Sequence, residues 1–348
     1  MSEVVDTASD LRQRGPDQVR DYRGAATAQH GVPPGAGWTR AQPGINNGLP
    51  QAVAHRGYKA NFPENTMGAF RGAVEVGAHA IETDVHLTKD GVVVLLHDPD
   101  LKRTFGVEGL VSDYDWAYLR TLKTLREPRQ SMPRLLDLLE YLAEPGNGSI
   151  WIFLDIKIDD APEDLINRIA ETISAAPGGD WRQRIVLGCW TAKHLRLCHE
   201  MLPDFALAHT GLSITLAKEY LKIPNVAINI RQESLFAIGG AQFMKHCEGE
   251  GRPVYAWTVN KESRMEWCIE NQTDCVITDD PRHYLDICRR QRKKQAGVDN
   301  RIQALAQTAR RLVFCVYYSL VVMILLRYLR VPQRLGYPRE VREELRKV

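Results

Sequence analysis

The feature that most constrains the fold is a repeated alternation of short apolar segments with longer amphipathic segments between residues 52 and 278. Short apolar runs bounded by Gly or Asp are typical of buried strands, and helix-period patterns between them are typical of covering helices. The alternation therefore predicts a parallel sheet covered by helices. The predicted strands lie at 52–55, 80–85, 92–97, 150–156, 184–189, 205–209, 225–230, 253–258 and 274–278.

One connection is too short for a parallel crossover, and it decides the topology. Only about five residues separate the second and third predicted strands, whereas a parallel crossover needs about a dozen. The pair Asp90–Gly91 in this connection is typical of a hairpin turn. The two strands are therefore predicted to pair as a hairpin. The remaining strands form eight strand–helix units, a number that favours a closed barrel over an open sheet.

The predicted hairpin brings a histidine beside two carboxylates. Glu82 and Asp84 are two residues apart on one strand, so their side chains share a face. His97, on the returning strand, is predicted to lie opposite Glu82 or Asp84. The pairing register of the hairpin decides between these two carboxylates, and the sequence leaves both pairings open. The long segment 98–131 that follows is predicted to form a cap at the mouth of the barrel.

Several short motifs occur in an order that resembles the glycerophosphodiester phosphodiesterase family, over a stretch that ends near residue 285. They are His55-Arg56-Gly57, Pro63 to Thr66, Glu82-Thr83-Asp84, Thr88 to Gly91, His97-Asp98, Trp257 to Asn260 and Ile277-Thr278-Asp279. The resemblance implies a TIM-type (β/α)8 barrel with the hairpin and cap inserted after strand 2, and metal-dependent phosphodiester hydrolysis. With its C-terminal apolar segment, the chain is most similar to a fungal branch of the family, the phospholipases C that act on phosphatidylglycerol.

The resemblance implies a metal site at Glu82, Asp84 and Asp155. Polar side chains at the carboxyl ends of barrel strands meet at the catalytic mouth. Three carboxylates there repel one another unless a cation neutralises them, and an all-oxygen set suits Mg²⁺ or Ca²⁺ better than zinc. The third ligand is more often Glu in this family, and Asp155 is one methylene shorter. The alternative is that the carboxylates form salt bridges to Arg56 and Lys157 without a metal.

The resemblance also implies the catalytic residues, and the chemistry of phosphodiester cleavage suggests the phosphate-binding ones. His55 and His97 are assigned the acid and base roles, without deciding which does which. Arg56 and Lys157 are predicted to neutralise the phosphate oxygens. His86 is interpreted as a surface residue of the hairpin, with a position behind the site as the alternative.

Two further residues are predicted to surround the site. In the resembling family the glutamate that matches Glu64 lies in the site, so Glu64 is predicted to orient Arg56 or to approach the metal, with a purely structural turn as the alternative. Its neighbours Asn65 and Thr66 are candidate caps of the following helix. Trp257 is predicted to wall the substrate pocket, with a core position as the alternative.

The chain divides into five predicted segments. They are a disordered N-terminal segment at 1–48, the phosphodiesterase barrel at 49–290, a basic linker at 291–311, a membrane-anchoring helix at 312–330 and a charged tail at 331–348. The anchor is inferred from an apolar run close to the ~20 residues that span a bilayer core of ~30 Å. A buried core helix and a half-inserted hairpin are the alternatives. Flanking basic residues leave its orientation open and favour an anionic lipid surface.

The predicted activity is hydrolysis of phosphatidylglycerol to diacylglycerol and glycerol phosphate by a membrane-anchored barrel that faces the cytosol. The endoplasmic reticulum, the mitochondrial outer membrane and the lipid droplet surface are the candidate locations. One alternative is hydrolysis of soluble glycerophosphodiesters, and another is a non-catalytic lipid-binding scaffold. Nucleic acid is not a predicted partner, because the formal net charge is only +2 and no basic arm interleaves with aromatic residues.

Overall fold

The computed structural model describes residues 33–41, 44–295, 317–324, 326–327, 335 and 338–348. Its centre is a closed barrel of eight parallel strands in the order β1-β9-β8-β7-β6-β5-β4-β2, closed by pairing of β1 with β2. The strands are β1 (Gln51–His55), β2 (Ala80–Leu87), β3 (Val93–Leu95), β4 (Trp151–Ile156), β5 (Ile185–Cys189), β6 (Ala206–Gly211), β7 (Ala227–Arg231), β8 (Val254–Trp257) and β9 (Cys275–Thr278). The predicted TIM-type barrel is confirmed.

Helices follow most strands and cover the outside of the barrel. They are α1 (Met67–Glu75), α2 (Lys102–Phe105), α3 (Trp116–Leu119), α4 (Leu135–Ala143), α5 (Pro162–Ala175), α6 (Ala192–Met201), α7 (Ile214–Tyr220), α8 (Gln232–Phe236), α9 (Gly240–Gly249), α10 (Glu262–Glu270), α11 (Pro281–Gln295), α12 (317–324) and α13 (Pro338–Leu345). Thr66, Thr191 and Ser213 cap α1, α6 and α7 by accepting a backbone N–H with their side chains.

The third strand pairs antiparallel with β2 outside the barrel, as the short connection predicted. Val85 pairs with Leu95, and the N–H of Leu96 donates to the carbonyl of Asp84 at 3.1 Å. The returning strand β3 is shorter than the predicted 92–97, since the chain leaves the ladder at the level of Asp84. The segment 98–131 then lies over the catalytic end, where Arg126 donates to the carbonyl oxygens of Lys59, Ala60 and Phe62.

The N-terminal end of the barrel is closed by residues that were predicted to be disordered. Trp38 lies edge-on to Trp151 inside the barrel, with ring centroids 5.5 Å apart. Thr39 is fully buried and forms a hydrogen bond with the hydroxyl of Tyr255. The prediction of disorder for 1–48 is therefore wrong over 33–41, because Trp38 and Thr39 pack against side chains inside the barrel at its N-terminal end. Residues 1–32 lie outside the described part.

Described residues of the C-terminal helices contact the barrel domain. In α12, Tyr318 is buried and its hydroxyl accepts a hydrogen bond from Arg264. The predicted charged tail contains α13, whose Val341 and Leu345 are buried and whose contacts lie on α6 and α7.

The described residues contain no helix with the length and apolar character needed to cross a membrane. The predicted anchor at 312–330 is only partly described, at residues 317–324 and 326–327, and its other residues lie outside the described ranges.

Candidate active site

Three carboxylates meet at the carboxyl ends of neighbouring strands. Glu82 and Asp84 lie on β2, and Asp155 lies on β4 in register with Asp84. Each offers an oxygen within 4.8 Å of an oxygen of the other two, and all three side chains are buried. The structure therefore brings together the three residues that were predicted to bind a metal.

Two basic side chains contact this carboxylate cluster. Nζ of Lys157 lies 2.7 Å from Oδ1 of Asp84 and 2.7 Å from Oδ2 of Asp155. Nε of Arg56 lies 3.4 Å from Oδ2 of Asp84, and the backbone N–H of Arg56 donates to Oε2 of Glu82 at 2.9 Å. The ion pairs that were considered as the alternative to a metal site are thus present beside the three clustered carboxylates.

The charges of the cluster nevertheless fit a divalent cation, because three carboxylates face only two basic groups. Burial, followed by the charges of Asp84 and Asp155, raises the pKa of Glu82 well above its ordinary value. Burial also acts to raise the pKa of Asp84, but the charges of Lys157 and Arg56 hold it well below its ordinary value. A bound cation would supply the missing positive charge and favour ionised Glu82. The all-oxygen donor set suits Mg²⁺ or Ca²⁺.

His55 is held in one orientation by an aspartate at the end of the last barrel strand. Nδ1 of His55 lies 2.6 Å from Oδ1 of Asp279. A carboxylate only accepts hydrogen bonds, so Nδ1 carries a proton and Nε2 faces the cluster, 4.0 Å from Oε2 of Glu82. Asp279 is itself fixed by Asn260, whose Nδ2 donates to Oδ2 at 2.8 Å. Burial lowers the pKa of His55, although the bond to Asp279 opposes this shift.

His97 belongs to a chain of ion pairs that ends at Arg56. Its Nδ1 lies 2.6 Å from Oδ1 of Asp98, and Asp98 also accepts from Nε of Arg103. Nη2 of Arg103 donates to Oε1 of Glu64 at 2.6 Å, and Nη1 of Arg56 donates to the same oxygen at 2.8 Å. Burial acts to raise the pKa of Glu64, but these partners lower it to about 2. Glu64 therefore orients Arg56 as an ionised carboxylate.

The interpretation of His86 as a surface residue is wrong. Its side chain is almost completely buried, and its Nδ1 lies 2.7 Å from Oδ2 of Asp160. Its Nε2 lies 3.2 Å from the carbonyl oxygen of His97. Asp160 also accepts the N–H of Leu87 at 3.2 Å. His86 thus links the backbone of His97 to the loop after β4. Its side chain is buried because β2 continues beyond the mouth of the barrel and directs this side chain inward.

Asn65 was considered only as a helix cap, but the structure places it in the site. Thr66 is the cap of α1, while Asn65 adopts a left-handed backbone with φ of 52°. Its Nδ2 donates to Oδ2 of Asp84 at 2.8 Å, and its Oδ1 accepts from Oγ1 of Thr83 at 2.8 Å. Asn65 therefore fixes one oxygen of a candidate metal ligand.

Two tryptophans wall the cavity above the carboxylates. Trp257 lies at the end of β8, as predicted, and Trp190 follows β5; their ring centroids are 5.6 Å apart. Nε1 of Trp190 donates to Oδ1 of Asp155 at 2.8 Å. Among the described residues, Nε1 of Trp257 has no hydrogen-bond partner. The cavity is open to solvent on one side, and its space, open solvent included, measures about 330 Å³.

Sequence reasoning assigned no role to four residues that shape the site. They are Asp98, Arg103, Trp190 and Asp279. Asp279 carried a usable signal, since it directly follows the last barrel strand, where polar side chains reach the mouth. Arg103 had no such signal in the sequence, because its contact with Glu64 depends on how the inserted segment 98–131 packs on the barrel.

Comparison with known proteins agrees with this geometry. The model of the glycerophosphoryl diester phosphodiesterase family matches residues 55–283. A glycerophosphodiester phosphodiesterase of Caldanaerobacter subterraneus subsp. tengcongensis is 28% identical over 251 residues, 68% of this chain and 97% of that protein. Lysophospholipase D GDPD1 of Mus musculus is 27% identical over 271 residues, 67% of this chain and 84% of that protein.

A solved structure shares the fold closely. It is an Oleispira antarctica phosphodiesterase in complex with the product sn-glycerol-3-phosphate, with a TM-score of 0.62 and 25% sequence identity. The alignment covers 69% of this chain and 96% of that one. The family match spans more than half of the chain and contains both histidines and all three clustered carboxylates. The chain therefore belongs to the glycerophosphoryl diester phosphodiesterase family and is a phosphoric diester hydrolase.

Proposed function

We propose that the protein hydrolyses glycerophosphodiesters to glycerol 3-phosphate and the corresponding alcohol. One observation carries the proposal. Two histidines, each held at Nδ1 by an aspartate, line the same small cavity as the three clustered carboxylates. The Oleispira antarctica relative, which is described with sn-glycerol-3-phosphate as its product, supports the same chemistry. The preferred substrate is therefore a soluble ester of glycerol phosphate.

The basic side chains of the cavity would bind the phosphate. Arg56 presents a planar guanidinium that suits two phosphate oxygens, and Glu64 fixes its orientation. Lys157 adds a second positive charge on the opposite side of Asp84. When bound at the three clustered carboxylates, a divalent cation would polarise the phosphate oxygens as a Lewis acid. These groups offset the charge that develops on phosphorus-bound oxygens during the reaction.

The two histidines would move the protons. A glycerol hydroxyl next to the phosphoester attacks phosphorus, the bond to the alcohol oxygen breaks, and a cyclic phosphate forms. One histidine takes the hydroxyl proton through Nε2, and the other donates a proton to the departing oxygen. Water then opens the ring with the two roles exchanged. An internal nucleophile lowers the entropic cost of the first step, and direct attack by water would use the same two histidines.

Phosphatidylglycerol is the second candidate substrate, and a particular observation favours it. Large apolar side chains are exposed around the catalytic end, among them Ile158, which directly follows Lys157, and Ile238. Such side chains suit a substrate that lies in a lipid surface. The cut would release diacylglycerol and glycerol phosphate. The mouse relative, named a lysophospholipase D, supports a lipid substrate for this type of barrel. This candidate includes a barrel attached to a membrane and facing the cytosol.

A parallel product analysis tests both candidates. The purified full chain is incubated with glycerophosphocholine and, separately, with phosphatidylglycerol vesicles, and the products are identified by mass spectrometry. We expect glycerol 3-phosphate and choline from the first substrate. Diacylglycerol from the vesicles would establish the second substrate. The His97→Ala variant is the control and should be inactive on both.

Two outcomes would contradict the proposal. Turnover of neither substrate in the presence of Mg²⁺ or Ca²⁺ would overturn phosphodiester hydrolysis at this site. Turnover of phosphatidylglycerol alone would replace the preferred substrate by the second candidate.

A further inference from the structure

The large apolar side chains that are exposed in the described ranges are all attached to the catalytic end of the barrel. They are Leu110, Tyr118, Leu125, Ile158, Ile238, Tyr317, Leu320, Met323 and Ile324. The first three belong to the inserted segment 98–131, and Ile158 lies between β4 and α5. Ile238 lies between α8 and α9, after the carboxyl end of β7. Apart from α3 and α12, the described helices contribute none to this set, and neither do the loops at the opposite end of the barrel.

The helix α12 presents its apolar side to solvent. Its inward side contacts the barrel through Tyr318, whose ring lies 5.4 Å from that of Phe236. Oγ of Ser319 accepts the backbone N–H of Ile238 at 2.9 Å. On the outward side, the exposed fractions of Leu320 and Ile324 are 52% and 67%. A surface helix of a water-soluble domain normally places a polar face outward, whereas α12 exposes apolar side chains.

The contacts of α12 place it beside the mouth. Arg264, which bonds to Tyr318, lies in the first turn of α10, and that turn follows β8 at the catalytic end. Ile238, the neighbour of Ser319, has an exposed fraction of 71% and follows β7 at the same end. Ile238 and α12 therefore lie next to each other at the catalytic end, where their exposed side chains make up an apolar patch.

A basic segment accompanies exposed apolar side chains elsewhere on the catalytic end. Leu125 has an exposed fraction of 54%, and residues 120–129 contain four basic side chains and one acidic side chain. Arg126 holds this segment against the loop between β1 and α1. Lys123, Arg120 and Arg129 are exposed. We call Leu125, Lys123, Ile238, Leu320 and Ile324 the mouth rim.

We propose that the mouth rim is a docking surface for anionic phospholipid, which seats the open cavity directly on a lipid surface. Outward apolar side chains would enter the boundary between headgroups and acyl chains, as interfacial helices do. The basic segment would pair with negatively charged headgroups, an interaction that falls with ionic strength. A second copy of the chain is a poorer occupant, since a twofold contact through the basic segments brings like charges together. The inference rests on the proposed function, because an ester of glycerol phosphate is also a lipid headgroup.

Vesicle binding by the full chain tests this surface. Sedimentation is measured with vesicles of phosphatidylcholine alone and with vesicles that also contain phosphatidylserine, an anionic lipid that is not the proposed substrate. We expect binding to the anionic vesicles that weakens as salt is added. Ile238→Ser combined with Leu320→Ser should reduce binding about tenfold or more, as should Lys123→Glu. Hydrolysis of glycerophosphocholine by these variants should stay at the wild-type rate.

A matched change at the opposite end of the barrel serves as a control. Lys222→Glu repeats the charge reversal at an exposed lysine between α7 and β7, and this variant should bind vesicles like the wild type. Circular dichroism during heating checks that each variant is folded.

Two results would contradict the proposed docking surface. The first is a wild type that hydrolyses glycerophosphocholine without binding anionic vesicles, and the second is equal vesicle binding by the rim variants and the control variant. Concentration-dependent dimers that the Ile238→Ser and Leu320→Ser changes abolish, without vesicle binding, would assign the patch to a second copy. A wild type that binds vesicles but hydrolyses neither ester would refute the proposed function while leaving the surface in place.

Discussion

At the scale of single residues, Asp279 is expected to control the orientation of His55. Asp279→Asn replaces a carboxylate acceptor by an amide that can present a donor to Nδ1, which favours the wrong tautomer or ring orientation. We expect kcat to fall about a hundredfold or more, with KM little changed, since comparable His–Asp pairs show such losses. Steady-state kinetics with glycerophosphocholine measure both constants.

The neighbouring residue offers a matched control for that variant. Asp280 accepts the N–H of His283 at the start of α11, a position where Asn is an equally good cap. Asp280→Asn should therefore keep the wild-type kcat. An equal loss of kcat in both variants would show that the change acts through the fold and not through His55.

Glu64 is expected to make stability depend on pH. Its pKa is about 2 in the folded protein against an ordinary value of 4.5. A carboxyl group with a lowered pKa stabilises the fold above its unfolded pKa, and this contribution is lost as the pH falls through the folded pKa. Glu64→Gln should cost about 2–3 kcal/mol near neutral pH, and the difference should shrink from pH 4.5 toward pH 2.

Urea unfolding at a series of pH values measures this difference. Glu171→Gln, which removes the exposed partner of Arg168, is the control and should cost less than about 1 kcal/mol at any pH. A Glu64→Gln difference that stays constant as the pH falls would contradict the ionised state assigned to this carboxyl.

The residues show where sequence reasoning works and where it stops. Glu82 and Asp84 were predictable because their spacing puts both side chains on one face of a strand and because they belong to a recognisable motif. Asn65 was misread because its sequence position also suits a helix cap, and only the backbone turn with positive φ aims it at Asp84. Arg103 reaches Glu64 through a tertiary contact that no local pattern reveals.

At the scale of elements, the β2–β3 hairpin positions His97 in the site. The bond from His86 to the carbonyl of His97 and the pairing of His86 with Asp160 fasten this hairpin to the loop after β4. His86→Asn shortens the side chain and removes the contact between Nε2 and the carbonyl oxygen of His97. We expect kcat to fall about tenfold or more, because a small displacement of a catalytic group is costly, while KM changes little.

A second buried histidine provides the comparison for His86. His199 is buried on α6, and His199→Asn should lower the melting temperature without lowering kcat. The two variants are compared by thermal unfolding and by kinetics. A His86→Asn variant with wild-type kcat would mean that the hairpin holds His97 without this contact.

The hairpin was predictable and the C-terminal helix was not, for physical reasons. A connection of about five residues cannot make a parallel crossover, so its length alone excluded the alternative. In α13, the buried side chains Val341 and Leu345 are surrounded by charged residues, so the local pattern resembles a solvated tail. Its position depends on ion pairs such as Arg196–Glu344 at 2.7 Å, which join residues distant in sequence.

At the scale of the whole molecule, the count of strand–helix units favoured a closed barrel, and the resemblance to a known family implied one. The packing of Trp38 and Thr39 into the N-terminal end of the barrel was not predicted, because their partners Trp151 and Tyr255 lie far away in sequence. The strands β4 and β8 were recognisable as short apolar runs, but nothing in such a run shows what covers its side chains inside the barrel. Closure of a barrel end is a property of the folded chain as a whole.

Cation binding should stabilise the entire barrel, because the cluster contains an excess of negative charge before a cation enters. Addition of Mg²⁺ or Ca²⁺ at about a hundred times its dissociation constant should raise the free energy of unfolding by about 2.7 kcal/mol. Thermal unfolding with and without the ion measures the shift. Asp84→Asn should show little or no shift, and an equal shift in this variant would place the bound ion elsewhere.

The central claim is that Glu82, Asp84 and Asp155 hold a divalent cation for phosphodiester cleavage beside His55 and His97. The most direct measurement is the rate of glycerophosphocholine hydrolysis by the purified chain after chelation and again after Mg²⁺ or Ca²⁺ is restored. The predicted result is that chelation abolishes hydrolysis, that one of the two ions restores it in the wild type, and that neither ion restores it in Asp84→Asn. An unchanged rate after complete removal of divalent metal would contradict the claim.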